Sequence, residues 1–302
     1  ATNPRMWSLT LSFSLVFLTF VQARVIVDPV AFATYDDDTA RNKFFPLAAA
    51  AYSSNPQTCL SAKFKNAQLR RQVNVQCDTG KNDICSAYTA LLAGNNAIVL
   101  SFRGTQGFLQ LIEEADKSVF QSQSQWVAGG KVSKYFGDAF NKLWNGGMKD
   151  DFNNLFHNNP KFEVWVTGHS LGGAMASLAA SFLIANNIVP GNQVKLVTYG
   201  QPRTGTTPFA VAHDAQMAYS YRVTHNRDIV PHIPNEGMED YKHHKAEVFY
   251  KESMNAGASF KVCSSSDESN DCSNGLLITA SVSDHLTYFT KDVSQWGEAG
   301  CN

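Results

Sequence analysis

The chain has 302 residues, 44% of them hydrophobic and 17% charged, with a formal net charge of −1. That is close to ordinary globular usage and allows a large buried core, with one α/β domain as the simplest arrangement. No block of like charge occurs, so the electrostatic footprint that phosphate-backbone binding needs is missing and nucleic acid is not expected as a partner.

The first element is a leader. Arg5 precedes an apolar run from Trp7 to Val21, which closes on the small-residue pattern Val21-Gln22-Ala23. The run is shorter than the ~20 apolar residues of a membrane span and has the three-part build of a secretory signal peptide, with cleavage expected after Ala23. Residues 1–23 are therefore read as leader and 24–302 as a single secreted domain without a stable transmembrane anchor.

Next, DDTARNKFFPLAAAAYSS, with its alanine run, predicts a helix. Cys59, Cys77, Cys85, Cys263, Cys272 and Cys301 make an even set in an exported chain and read as disulfides, for which fifteen connectivities exist. Cys77 with Cys85 and Cys263 with Cys272 each enclose a short polar loop, leaving Cys59 and Cys301 to join the two ends. No Cys/His spacing of the zinc kind occurs, and neither metal nor cofactor is expected. NAIVLSFRG predicts a strand. Directly after it, TQGFLQLIEEADKS (105–118) places Phe108, Leu111, Ile112 and Ala115 on one side of a short helix and Gln110, Glu113, Glu114 and Lys117 on the other.

FGDAFNKLWNGGMKDDFNNLFHN predicts helix, and FEVWVTG, VKLVTYG, YSYRVTHN and AEVFYK predict strands. Their alternation argues for βαβ units around a mostly parallel central sheet flanked by helices. Within it, Val164–Thr167 read as a buried strand and Ala174–Leu183 as a helix of small and apolar residues, separated by Gly168, Ser170 and Gly172 as G-x-S-x-G. Gly168, Gly172 and Gly173 remove side chains where a sharp strand-to-helix turn would clash, which lifts the Ser170 hydroxyl clear of the sheet and aims a helix N-terminus at it. The rival reading is a glycine-rich turn whose serine only caps the helix. His169 is expected on the opposite side of the turn, with a structural role.

In this elbow class an acid and then a histidine follow the serine. Asp228 follows the YSYRVTHN strand in a loop where Pro231 and Pro234 are expected to hold extended backbone, and His285 lies in SVSDHLTYF with Asp284 as candidate N-cap. His225, His232, His243 and His244 read as structural or surface residues, the last two facing opposite ways on a strand and so unsuited to joint metal ligation. CSSSDESNDCSNG (263–275) reads as a surface loop.

Five stretches, LSFRGT, VTGHSLGGA, YGQPRTG, RDIVPHIP and DHLTYF, resemble the class 3, fungal-type lipases of the α/β-hydrolase superfamily. The resemblance spans nearly all of the mature chain and implies an α/β-hydrolase fold acting on lipid esters, most simply triacylglycerols, with Ser170 as nucleophile, His285 as general base and acid, and Asp228 as its orienting carboxylate. It places the oxyanion donors at Thr105, where many relatives carry serine, and at the backbone N–H of Leu171. It also places a mobile lid over Phe108, Leu109, Leu111 and Ile112, with Leu111 where a tryptophan is frequent. The disulfide pairing Cys59–Cys301, Cys77–Cys85 and Cys263–Cys272 resembles one known in the family. The implied partner is a lipid–water interface met by a monomer. Phospholipase A1 and feruloyl esterase share the triad within the family; a secreted lipid-binding protein that has lost activity and a serine peptidase are the readings from other classes.

Overall fold

β-Branched and aromatic runs make the middle of the main sheet, whose strand order in space follows their order in the chain. The computed structural model describes residues 33–77, 84–104 and 119–302. The sheet has eight strands: β1 (Ala67–Gln76), β2 (Ile84–Leu92), β3 (Ala97–Phe102), β4 (Glu163–His169), β5 (Val194–Tyr199), β6 (Tyr219–His225), β7 (Glu247–Tyr250) and β8 (Lys261–Cys263). β3 to β7 run parallel, β1 and β2 join antiparallel at one edge, and β8 closes the other edge antiparallel. This is the mostly parallel, helix-flanked sheet of an α/β-hydrolase.

The α-helices of five or more described residues are α1 (Phe45–Ala50), α2 (Pro56–Lys63), α3 (Lys134–Leu143), α4 (Lys149–Asn158), α5 (Leu171–Ala185), α6 (Thr207–Asp214), α7 (Val282–Leu286) and α8 (Val293–Glu298). Successive strand residues face opposite ways, so β3 sends Ile98, Leu100 and Phe102 into one apolar cluster and Ala97 and Val99 into another. The first cluster takes in α3, α4 and α5 through Phe136, Phe140, Phe152, Leu171 and Leu178. The second takes in α1 and α8 through Phe45, Leu47 and Val293. The alanine run beside Leu47 is fully buried, because small side chains let α1 lie close on the sheet.

Disulfides Cys59–Cys301, Cys77–Cys85 and Cys263–Cys272 join α2 to the C-terminus, the ends of β1 and β2, and β8 to the polar loop that follows it. That loop is not purely a surface feature. Glu268 is buried within it and takes a two-pronged ion pair from Arg203, with Nε 2.9 Å from Oε1 and Nη2 2.8 Å from Oε2. Burial alone would raise the Glu268 carboxyl, but His243 and Arg203 hold it below the usual range. One other expectation is corrected. Pro231 lies in a short 3-10 turn, Val230–His232, since the fixed φ of proline suits a first helical turn as well as extended chain. The edge strand β1 does not stand out in the sequence, because it is mostly exposed or half-buried and carries Gln, Arg and Asn.

Candidate active site

In a parallel sheet every strand leaves at the same rim. Here the register aligns His169 at the end of β4 with Tyr199 at the end of β5, and Tyr199 with Val223 in β6. The next residue after β4 is Ser170, at φ 62° and ψ −134°, and α5 begins at once with Leu171. Such a positive φ is unusual for a residue with a side chain and is tolerated where the surroundings fix it. The flanking glycines explain the fit: a Cβ on Gly168 would lie 2.3 Å from the Gly172 carbonyl oxygen, and one on Gly172 would lie 2.2 Å from that of Phe102.

Ser170 does not cap the helix through its side chain. Its Oγ is buried and has no hydrogen-bond partner among the described residues, while its N–H donates to the Tyr199 carbonyl at 2.9 Å. The backbone of Gly104, after β3, abuts it closely enough that a Cβ there would meet the Ser170 Cβ at 2.9 Å. Thr105 and the residues expected to form a lid, Phe108, Leu109, Leu111 and Ile112, lie outside the described residues. Leu171 is the first residue of α5, where backbone N–H groups lack an intrahelical acceptor.

Asp228 and His285 are brought together although 57 residues separate them: His285 Nδ1 is 3.0 Å from both carboxylate oxygens. The join is made by backbone, through a parallel bridge between Asp228 and Ser281, with the Ser281 N–H donating to the Arg227 carbonyl at 2.9 Å. Ser281, rather than Asp284, caps α7, because its hydroxyl accepts from the Asp284 N–H at 3.0 Å. The Asp284 carboxylate instead accepts from the Arg227 N–H at 3.1 Å, which ties the two loops together again.

Asp228 also accepts from the Val230 N–H at 2.8 Å and the Tyr288 hydroxyl at 2.7 Å. Burial would raise its carboxyl, but His285 and these donors hold it below the usual carboxylate range. Burial, then the neighbouring carboxylate, pushes the Tyr288 hydroxyl well up, so it stays a donor. Gly200, one residue beyond β5, abuts the pair: a Cβ there would lie 2.8 Å from Asp228 Oδ2 and 2.9 Å from His285 Nδ1.

His169 has a structural role. Its ring stacks on that of His285 at 4.5 Å, its Nε2–H donates to the His285 carbonyl at 2.8 Å, and its Nδ1 accepts from the Tyr52 hydroxyl at 2.7 Å. The reason is strand alternation: His169 shares a face of β4 with Trp165, in the cluster that contains Tyr52 and Tyr288. Burial, with His285 close by, lowers its pKa to about 3, so it is a neutral ring. Neither Tyr52 nor Tyr288 had been singled out from the sequence; Tyr288 lies within the quoted DHLTYF, and only the fold shows which carboxylate it reaches.

Among the other histidines, His225 Nδ1 donates to the Thr287 carbonyl at 2.7 Å, holding the segment after α7. His243 Nε2 lies 2.7 Å from the Pro231 carbonyl, and both His243 and His244 follow the short strand Tyr241–Lys242 as buried residues. They are therefore not strand neighbours facing opposite ways.

The family described as Lipase (class 3) matches residues 99–238. A lipase from Caenorhabditis elegans is 31% identical over 302 aligned residues, covering 89% of this chain and 84% of its own length. The chain belongs to the class 3 lipase family. A Rhizopus niveus lipase is 33% identical over 230 residues, which are 71% of this chain and 56% of that lipase, so the match spans little more than half of the fungal protein. The structure of the Rhizomucor miehei triacylglyceride lipase superposes with a TM-score of 0.72 at 25% identity, covering 86% of this class 3 lipase and 97% of the other chain.

Proposed function

We propose that this class 3 lipase is a secreted triacylglycerol hydrolase that works as a monomer at a lipid–water interface through an acyl-enzyme on Ser170. The observation that carries the reading is the buried Asp228–His285 pair at 3.0 Å, at the same rim of the sheet as an elbow serine whose buried hydroxyl has no hydrogen-bond partner among the described residues. A serine hydroxyl is a weak nucleophile at neutral pH until a base takes its proton. Asp228 stays ionised and accepts the Nδ1 proton, which leaves the lone pair on His285 Nε2 for that task. As Oγ bonds to the ester carbonyl carbon, the proton moves to His285 and the carbonyl oxygen becomes an oxyanion. The Leu171 N–H and the Thr105 N–H and hydroxyl are assigned to that oxygen, each donor worth roughly 3 kcal/mol of transition-state stabilisation. The proton then passes to the departing alcohol, and water repeats the sequence to release the acid.

Secretion is supported by the leader-like apolar run from Trp7 to Val21 and by three disulfides suited to an oxidising compartment. The triacylglycerol preference is supported by the likeness to the Rhizomucor miehei triacylglyceride lipase. Hydrolysis of a tributyrin emulsion, phosphatidylcholine and a soluble p-nitrophenyl ester, compared in one assay, tests the function. Tributyrin should be cleaved fastest. Faster release from phosphatidylcholine makes the protein a phospholipase A1, and no turnover of any of the three makes it a lipid-binding relative.

A further inference from the structure

One buried histidine has no part in the proposed catalysis and no hydrogen-bond partner among the described residues. His213, in the last turn of α6, is fully buried, and neither of its ring nitrogens has a hydrogen-bond partner among the described residues. A buried imidazole left this way calls for an explanation, because nearly all buried polar groups are satisfied. Its ring stacks on that of His244 with centroids 3.7 Å apart, and beside both is the carboxylate of Asp214. One ligand atom from each of His213, Asp214 and His244 can be chosen so that all lie within 4.8 Å of one another.

The surroundings prepare His244 as a ligand. Its Nδ1 is 2.9 Å from the Lys245 carbonyl, so the proton belongs on Nδ1 and the lone pair on Nε2, where the Gln201 amide nitrogen lies at 3.0 Å. A backbone carbonyl fixing the tautomer of the outer nitrogen is the usual support of a metal-bound histidine. Asp214 is held in turn by the Lys245 N–H, 2.8 Å from Oδ1. It is only partly buried.

We infer that His213, Asp214 and His244 form a binding site for one divalent transition-metal ion of the zinc type. Two imidazoles and one carboxylate are a nitrogen and oxygen set that suits zinc, cobalt or nickel better than calcium or magnesium. Zinc binds such atoms at about 2.0–2.2 Å, so the three must close to roughly 3.5 Å from one another, which needs the two rings to turn out of their stack, now 21° between planes, and release of the Gln201 amide. The amide nitrogen of Gln201 keeps a second acceptor, Thr204 Oγ1 at 3.1 Å. Arg222 is the cation nearest the two histidines: its Nε donates to the His244 carbonyl at 2.7 Å and its Nη2 has no hydrogen-bond partner among the described residues, while Lys242 and Lys245 lie 3.8 and 3.9 Å from Asp267. The ion would tie the end of α6 to the chain after Tyr241–Lys242, a structural role independent of Ser170 chemistry.

The test uses the full protein, stripped with a chelator and then equilibrated with buffered zinc or cobalt. Elemental analysis should find about one ion per chain, and the cobalt form should show the strong visible absorption of a four-coordinate site. Asp214→Asn, at a partly exposed position that keeps the fold, should weaken binding by about tenfold or more, as should His213→Gln. If His213→Gln fails to fold, Asp214→Asn decides alone. Less than about a tenth of an ion in the wild type, or Asp214→Asn binding as tightly as the wild type, overturns the site.

Discussion

The rim where β3 to β7 end and the antiparallel edge formed by β1 and β2 belong to one sheet, yet they differ in what they carry. Ser170, Gly200 and Asp228 all follow parallel strands at the same rim, and Ser281 docks His285 there by a bridge to Asp228. The edge carries the Cys77–Cys85 disulfide and an ion pair from the half-exposed Arg71 to buried Asp151, with Nε 2.8 Å from Oδ2. Parallel strands bring successive chain exits to one line, so distant residues converge; antiparallel neighbours send their exits to opposite ends. Substitutions at the rim should therefore change chemistry, and those at the edge should change stability alone.

The largest contrast is expected from Gly200→Ala. At φ +55° the new methyl is strained, and it meets Asp228 and His285 within 3 Å, so the pair must move apart. Turnover should fall about 100-fold, since misplacing a catalytic group by an ångström costs that much. Activity within about twofold of the wild type would show that the pair tolerates displacement and would remove it from the mechanism.

Tyr288→Phe comes next. It keeps the packing and removes one of the donors that lower the Asp228 carboxyl. We expect turnover to drop by about tenfold and the acid limb of the pH profile to move to higher pH, because the carboxylate loses a hydrogen bond that favours its charged form. An unchanged acid limb would mean that Tyr288 only fills space.

A smaller effect separates the two regions by pH. The unfolded chain protonates His169 near pH 6.5, whereas in the fold burial holds it neutral to about 3, so stability present above pH 6.5 is lost as pH falls through that window. Urea midpoints at pH 7 and pH 5 should differ less in His169→Gln than in the wild type. Equal pH dependence in both proteins would contradict the neutral ring. The smallest effect is at the edge: Arg71→Ala breaks a half-exposed ion pair and should lower stability by about 1 kcal/mol with kcat unchanged. A clear change in kcat would erase the division between rim and edge.

The same division decides what could be read from the sequence. β3, β4 and β5 are buried on both faces and appear as continuous apolar runs, and the glycines around Ser170 mark a turn that few other residues fit. β1 has one wet face and polar residues throughout, so no comparable run announces it. The order of Ser170, Asp228 and His285 was legible, but the contacts around them depend on packing between segments far apart in the chain. The Tyr52 bond to His169 spans 117 residues and the Arg203 pair with Glu268 spans 65, and no local pattern encodes either.

The central claim is that Ser170 alone forms the covalent intermediate. Treating the protein with a fluorophosphonate and mapping the adduct by mass spectrometry, alongside the esterase rate of Ser170→Ala, tests it most directly. The account predicts one adduct, on Ser170, with the Ala variant folded, unlabelled and inactive. Labelling elsewhere, or an Ala variant retaining activity within about tenfold, a barrier change under ~1.4 kcal/mol, would contradict it.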